Sequence, residues 1–359
     1  MSHVTRTRPL RWVALVGALS LLLAACGAQN NGDEPGATDQ NTAEAGDAEP
    51  SGPITVYSGR NEELVGDVFD DFTAETGIEV EVRYGDTAEL AATILEEGDA
   101  SPADVYVAQD AGALGALEAE GILAPLPDDV LDLVDPLFRS RDGNWTGTTG
   151  RVRVLGYNTD ALDEDEVPDT VVDLTDPEWE GRIGWAPTNG SFQAFVTAMR
   201  IEEGDETTRE WLEGIIANDP AEFENNTAIV EGLGRGEVEV GLVNHYYLAR
   251  FLAEDPDFPV DNKYLPGDIG GLVNIAGAGV LASSEEQDAA TELIRYLLSE
   301  EVQTYFGEVT DELEFPVRDG IESPDLPSLE EIDPPDVDLS DLEDLQGTLE
   351  MLREVGALA

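Results

Sequence analysis

From Ile54 onward the chain alternates short apolar runs with apolar residues at helical spacing, and that alternation admits few folds. Ile54-Thr55-Val56-Tyr57 reads as a short buried strand, followed by a turn over residues 58–61. Leu64, Val65, Val68, Phe69 and Phe72 recur at helical spacing, with Gly77 as a stop signal. Ile78, Val80 and Val82 alternate with acids, the pattern of a half-buried strand. Residues 88–97 predict a helix, 103–107 a strand, and 111–120 a helix closed by Gly121. This βαβαβα order implies a parallel sheet with helices on its faces.

The same grammar returns further on. Residues 182–186 predict a strand, 187–191 a loop and 192–203 a helix. Val238, Val240 and Leu242 alternate as a strand, and 246–254 reads as a helix. Residues 271–281 form a Gly-broken apolar run, and 289–298 a helix. An acidic, Pro-rich stretch, 322–338, reads as irregular chain wrapping the surface. Leu342, Leu345, Leu349 and Leu352 then mark an amphipathic helix that docks on the body. Two α/β units in 359 residues agree with a length prior of about two domains.

Charge narrows the partners. The chain has 18 Lys plus Arg against 78 Asp plus Glu, a net charge of -60, and Lys263 is its only lysine. Such a field argues against nucleic acid and against an anionic membrane surface as partners. One cysteine, Cys26, excludes an internal disulfide; two histidines, His3 and His245, exclude a multi-His zinc site. Near-absence of lysine in so acidic a chain suggests a saline habitat.

The N-terminus reads as an export address. Arg6, Arg8 and Arg11 precede an apolar run over residues 12–25, too short for a membrane span of about 20 residues. The run ends in Leu23-Ala24-Ala25-Cys26-Gly27, which resembles a lipobox, with Cys26 as the lipidated residue. Cleavage of 1–25 removes three arginines and no acid, leaving 15 basic against 78 acidic residues, net -63. Residues 26–52 form an acidic, disordered tether without aromatic residues. The lipid would hold the protein to the outer face of the cytoplasmic membrane, its only membrane contact.

Ligands of open α/β sheets sit beyond the carboxyl ends of the strands. Four strand-to-helix junctions carry the candidate residues. The first is Ser58-Gly59-Arg60-Asn61-Glu62 and the second Ala108-Gln109-Asp110. The third, Thr188-Asn189-Gly190-Ser191, lies at a predicted helix N-terminus and is either an anion cradle or a plain helix cap. The fourth is Asn244-His245-Tyr246-Tyr247. At a strand end entering a helix, adjacent tyrosines are about 100° apart and both phenols can converge on one point. As anions, phenols need a strong cation, and a hard trivalent ion such as Fe(III) prefers oxygen donors. Half-buried aromatics with satisfied hydroxyls are the alternative. His245 is either a ligand, a support for one, or turned the other way.

The sequence resembles the bacterial ferric-ion-binding proteins, the solute-binding components of iron(III) ABC importers. The resemblance spans nearly all of residues 54–320. It rests on Ile54-Thr55-Val56-Tyr57-Ser58-Gly59-Arg60, Ser101-Pro102-Ala103-Asp104-Val105 and Gly150-Arg151-Val152-Arg153-Val154. It continues through residues 181–192, Asn244-His245-Tyr246-Tyr247 and Gly277-Ala278-Gly279-Val280-Leu281. It implies an α/β, two-lobed type II periplasmic-binding-protein fold, each lobe a mainly parallel sheet flanked by helices, with a hinge of crossover strands. The N-terminal lobe would be 53–151 with 280–322, the C-terminal lobe 152–279, and 323–359 an appended segment.

The resemblance further implies that Tyr246 and Tyr247 ligate Fe(III). A synergistic anion, phosphate or carbonate, would lie on Asn189, Gly190 and Ser191, helped by Asn226, Asn244 and Arg151. Members that bind iron without such an anion carry a third tyrosine where this chain has Phe192, which favours the anion-assisted subtype. The family's histidine and glutamate ligands fall on Asn61 and Gln109, leaving Glu62 or Asp110 as substitutes, or Asn61 and Gln109 as supports for a metal-bound water. The implied protein is not an enzyme. It is a monomeric, lipid-anchored receptor that delivers iron to a permease. A receptor of the same fold for a phosphorylated or other small organic solute is the alternative. A secreted hydrolase fits poorly, since no Gly-x-Ser-x-Gly elbow is present. A structural surface lipoprotein would lack ligand-induced closure.

Overall fold

A computed structural model describes residues 52–310 and 313–358; the signal-like segment, Cys26 and all but the last residue of the tether lie outside the described residues. The first part of the chain folds as β1 (Ile54–Ser58), α1 (Glu62–Thr76), β2 (Val80–Tyr84), α2 (Thr87–Glu97), β3 (Val105–Ala108), α3 (Ala111–Ala119) and α4 (Asp128–Leu131). Each helix here has a local cause. α1 buries Val65, Val68, Phe69 and Phe72 on one face and ends at Gly77, whose φ of 78° is the left-handed conformation a C-cap needs. α2 is capped by Asp86, whose carboxylate accepts from the amides of Ala88 and Glu89. α3 is capped in the same way by Asp110, through the amide of Ala113.

A 13-residue strand, β4 (Thr146–Asn158), follows. Then come β5 (Ile183–Trp185), α5 (Gly190–Glu203), α6 (Asp205–Ala217), β6 (Ala221–Glu222), α7 (Asn226–Gly234), β7 (Val240–Asn244), α8 (Tyr247–Glu254), β8 (Val260–Lys263) and β9 (Val273–Val280). The last elements are α9 (Gln287–Leu297), α10 (Glu300–Thr304), α11 (Leu329–Ile332) and α12 (Leu345–Glu354).

The strands run β2-β1-β3-β9-β4-β7-β5-β6, with β8 also on β4. β1, β2 and β3 are parallel, and so are β5, β6 and β7. Two antiparallel strands join these clusters. β9 pairs with β3 and with the first half of β4, up to Val152. From Arg153 to Tyr157, β4 pairs instead with β7. The long strand therefore changes partner between Val152 and Arg153, beside the fourth junction.

The structure differs from the sequence expectations in places. β2 begins at Val80 rather than Ile78, and β7 at Val240 rather than Val238. Tyr246 stands at the N-cap of α8, outside the helix expected to include it. Residues 322–338 are not wholly irregular: α11 is closed by a capping box between Ser328 and Glu331 and buries Ile332. α12 packs on α5, where the hydroxyls of Thr197 and Thr348 are 2.7 Å apart and Arg200 bonds Asp344 at 2.9 Å. The turn before it, residues 339–343, lies against α3 so closely that a Cβ on Gly115 would stand 2.2 Å from the carbonyl oxygen of Ser340.

Candidate functional site

Three of the four junctions contribute to the candidate site through one cavity of about 200 Å³, lined by Arg60, Asn61, Leu64, Gln109, Tyr246, Tyr247 and Arg250. β1 and β3 are parallel neighbours, so their carboxyl ends bring Asn61 and Gln109 to the same edge. Asn61 makes no side-chain capping bond to α1 and lines the cavity. Arg60 is turned inward, donating to both carboxylate oxygens of the buried Glu314 at 3.0 and 2.8 Å. Burial pushes the Glu314 carboxyl up, but Arg60 and then Arg151 outweigh it and hold it below the ordinary carboxylate range.

The tyrosines owe their placement to His245. Its Nδ1 accepts from the amide of Val152 at 3.2 Å, and its own amide donates to the Val152 carbonyl at 3.0 Å. Its Nε2 carries the proton and donates to the carbonyl of Leu313 at 2.9 Å. Burial pulls this imidazole down to about 4, against the raising effect of the Leu313 bond. Both nitrogens are thus engaged, and His245 is a brace on β4 rather than a ligand. The chain then enters α8, and the rings of Tyr246 and Tyr247 meet with centroids 4.4 Å apart and planes inclined by 30°. The Tyr246 hydroxyl interacts with the side chains of Tyr247 and Asn244. Burial, and next the neighbouring Tyr247, push the Tyr246 phenol above its ordinary value, while Arg151 pulls the other way.

Beside the tyrosines lies the third junction. Asn189 caps α5, its Oδ1 accepting from the Ser191 amide at 3.1 Å, the Ser191 hydroxyl at 2.6 Å and the Asn226 amide group at 3.2 Å. Sequence reasoning missed the residue that organises this cluster, Arg153. It faces Asn244 across the β4–β7 ladder and donates from Nη1 to Asn244 at 3.1 Å, Ser191 at 3.3 Å and Asn226 at 3.5 Å. Arg153 is 4% exposed, and its Nε and Nη2 have no partner. Burial pulls it down to about 10, and the fields of Tyr247 and Tyr246 limit the fall. Arg151, two residues earlier on the same face of β4, is also buried and leaves Nη1 without a partner. A buried guanidinium nitrogen without an acceptor is costly. Three of them stand near the pair of phenols.

The other sequence candidates fall as follows. Asn189, Ser191, Asn226 and Asn244 are brought together, and the space over Gly190 is open, with nothing within 4 Å of a Cβ placed there. Arg151 acts on its surroundings through its field, which reaches Tyr246, Glu314 and His245. Asp110 is spent on capping α3, and neither it nor Glu62 lines the cavity. Phe192 is core, packed edge-on against Trp185 at 5.6 Å. Among the described residues no group of three or more His, Cys, Asp and Glu is placed to hold a metal. A larger hollow of about 480 Å³ lies between residues 135–138 and 315–334. The arginine in its lining, Arg318, is bonded to the Leu298 carbonyl at 2.8 Å.

A cavity beyond the carboxyl ends of parallel strands is where open α/β sheets bind ligands. The family model described as bacterial extracellular solute-binding protein matches residues 100–340, and the chain belongs to that family. It is 32% identical over 309 residues to the "Fe(3+)-binding periplasmic protein" of Serratia marcescens, covering 85% of this chain and 90% of that one. Iron-bound HitA from Pseudomonas aeruginosa superposes with a TM-score of 0.76 at 35% identity, covering 84% of this chain and 99% of that one. The Trichodesmium protein solved in complex with iron and citrate ligands gives 0.75 at 28% identity, over 85% and 99%. These relatives are binding proteins, and among the described residues no helix is long and apolar enough to cross a membrane.

Proposed function

We propose that this protein is an extracytoplasmic receptor that captures Fe(III), together with an anion, and delivers it to an ABC permease. The observation that carries the reading is the pair of adjoining, mutually tilted phenols, Tyr246 and Tyr247, lining a 200 Å³ cavity and near three unpartnered guanidinium nitrogens. Fe(III) is acidic enough to displace phenolic protons, as other metals acidify their ligands. The two phenolates then neutralise two of its three charges, and the anion on Arg153 and Arg151 supplies further negative charge and oxygen donors. The relatives named for ferric iron support the same reading.

Capture follows from geometry. The cavity gathers Asn61 and Gln109 from the β1–β3 side and the tyrosines from the β7 side. We assign residues 53–151 with 280–322 to one lobe and 152–279 to the other, with β4 and β9 as the hinge between them. Closure of the lobes over the ion would exclude water and present the loaded form to the permease. Export as a monomeric lipoprotein held by Cys26 belongs to the same reading.

The test is an absorption titration with ferric iron. A visible phenolate-to-iron band saturating near one iron per chain is expected, and Tyr246→Phe/Tyr247→Phe should abolish both band and binding. Tight iron binding retained by that double variant overturns the site. No band in the unaltered protein at any iron level favours the organic-solute receptor instead.

A further inference from the structure

The C-terminal segment does not stay on one lobe. Where α11 ends it touches the C-terminal lobe, the Gly267 amide donating to the Asp333 carbonyl at 2.8 Å. The chain then crosses to the N-terminal lobe. Asp338 pairs with Arg141 at 3.1 Å. The Ser340 hydroxyl donates at 2.9 Å to the Glu118 oxygen that also accepts from the Trp145 indole at 3.2 Å. Backbone lies on backbone here: a Cβ on Gly112 of α3 would stand 2.8 Å from the Leu342 carbonyl oxygen. From Asp344 the chain is back on the C-terminal lobe. Arg200 of α5 bonds Asp344 at 2.9 Å and Thr348 at 3.0 Å, and Arg209 of α6 bonds Glu354 at 2.7 Å.

The second crossing is short. Only Glu343 separates Leu342, against α3, from Asp344, against α5. Two steps of chain reach at most about 7 Å, and the 3₁₀ form of residues 339–343, at about 2 Å per residue, leaves about 3 Å of slack. Parting α3 and α5 further at this point must break a contact. Approach is resisted too, because the Leu342 and Ser340 carbonyls already lie on Gly112 and Gly115. These two helices matter to the site. α3 starts two residues past Gln109, which lines the cavity, and α5 is capped by Asn189 of the third junction.

We propose that residues 333–354 are a clasp across the two lobes assigned above, a reading on which this inference rests. The clasp limits rotation of one lobe against the other and holds Gln109 and the Asn189 turn near their mutual spacing before any ligand arrives. Wide opening then requires α12 to leave α5, so release of the cargo depends on a helix that does not line the cavity.

Lengthening the crossing tests this without removing a contact. Gly-Ser-Gly-Ser is inserted between Glu343 and Asp344 in the full chain. Nitroxide labels on Glu63→Cys and Glu224→Cys, exposed positions in opposite lobes, with Cys26→Ser, report lobe spacing by pulsed electron paramagnetic resonance. Without the insertion, a narrow distance distribution is expected with or without gallium(III) nitrilotriacetate, a diamagnetic trivalent probe. The insertion should at least double the ligand-free width, and gallium should narrow it again. Arg200→Ala, which loosens α12 at constant chain length, should broaden it as well. A broad ligand-free distribution without the insertion, narrowed by gallium, overturns the clasp and leaves the two lobes standing. Equal broadening from the same insertion between Asp319 and Gly320, inside the N-terminal lobe, also overturns the clasp. Narrow distributions in every chain, with and without gallium, overturn the two-lobe reading itself.

Discussion

Glu314 is the single side chain whose loss should be felt most widely. It is 1% exposed, accepts both Nη groups of Arg60, and its field also reaches Arg151. Glu314→Ala removes the buried carboxylate that accepts both Nη groups of Arg60 and whose field reaches Arg151. Breaking a buried pair by deleting one partner costs about 3–5 kcal/mol. For a folded body of this size each kcal/mol moves the midpoint by about 2 °C, so a fall of about 6–10 °C is expected. Urea denaturation followed by tryptophan fluorescence, alongside calorimetry, measures it. The pH dependence carries a sign. Because the folded carboxyl titrates below its unfolded value, the pair's stabilisation is complete above the unfolded value near 4.3 and is lost as pH falls through the folded one. The variant should therefore lose less stability on acidification than the parent. Arg60→Met/Glu314→Leu, which removes both charges, should recover most of the loss. A fall below about 1 kcal/mol in Glu314→Ala would refute the claim that this pair bears the local charge balance.

Other outcomes follow from particular contacts. His245 is neutral when folded, since burial pulls it to about 4 from an unfolded value near 6.5. The unfolded state thus binds more protons as pH falls below 6.5, costing about 2 kcal/mol by pH 5, a slope that His245→Asn should remove from denaturation curves. Gly115→Val drives a side chain into the Ser340 carbonyl and should cost about 1–3 kcal/mol, with faster proteolysis of the C-terminal segment as the local readout. Arg200→Ala removes bonds to Asp344 and Thr348 and should loosen α12 from α5, seen as faster amide exchange in α12 before global unfolding. Raising salt from about 0.1 to 1 M should raise the melting temperature, because a chain of net charge -60 repels itself less when screened.

Much of the fold was legible because its signals are local. β1, α1, α2, β3 and α3 each carry a period and a stop that need no distant partner, and the structure places them within a residue or two of expectation. α6 has the same kind of signal, with Thr208, Trp211, Leu212 and Ile215 at helical spacing, and needed only to be sought. β4 is different. All 13 of its residues are buried, so no polar alternation marks it, and its glycines and arginines argue against a core strand when read alone. Its identity is set by pairing with β9, β7 and β8, which is not local information. The site divided along the same line. The tyrosines and the α5 turn stood out as strand-end clusters, whereas Arg153 lay inside the strand that local signals could not define.

That strand also explains why the arginines are where they are. A buried guanidinium is affordable only if something returns the negative charge, and Arg60 has Glu314 for that purpose. Arg153 has only the neutral oxygens of Ser191, Asn226 and Asn244, and two of its nitrogens have nothing. Hydrogen bonds to neutral groups satisfy geometry but do not cancel charge. A residue of that kind is destabilising in the empty protein and stabilising when an anion arrives. Its cost when empty becomes a gain in ligand affinity, since binding relieves it. Arg153 stands one residue past Val152, where β4 leaves β9 for β7 and where His245 grips the backbone. In the site proposed above, an anion landing on Arg153 would act on the strand that joins both sheet clusters, linking occupation of the site to the relative placement of the residues proposed to meet around the iron.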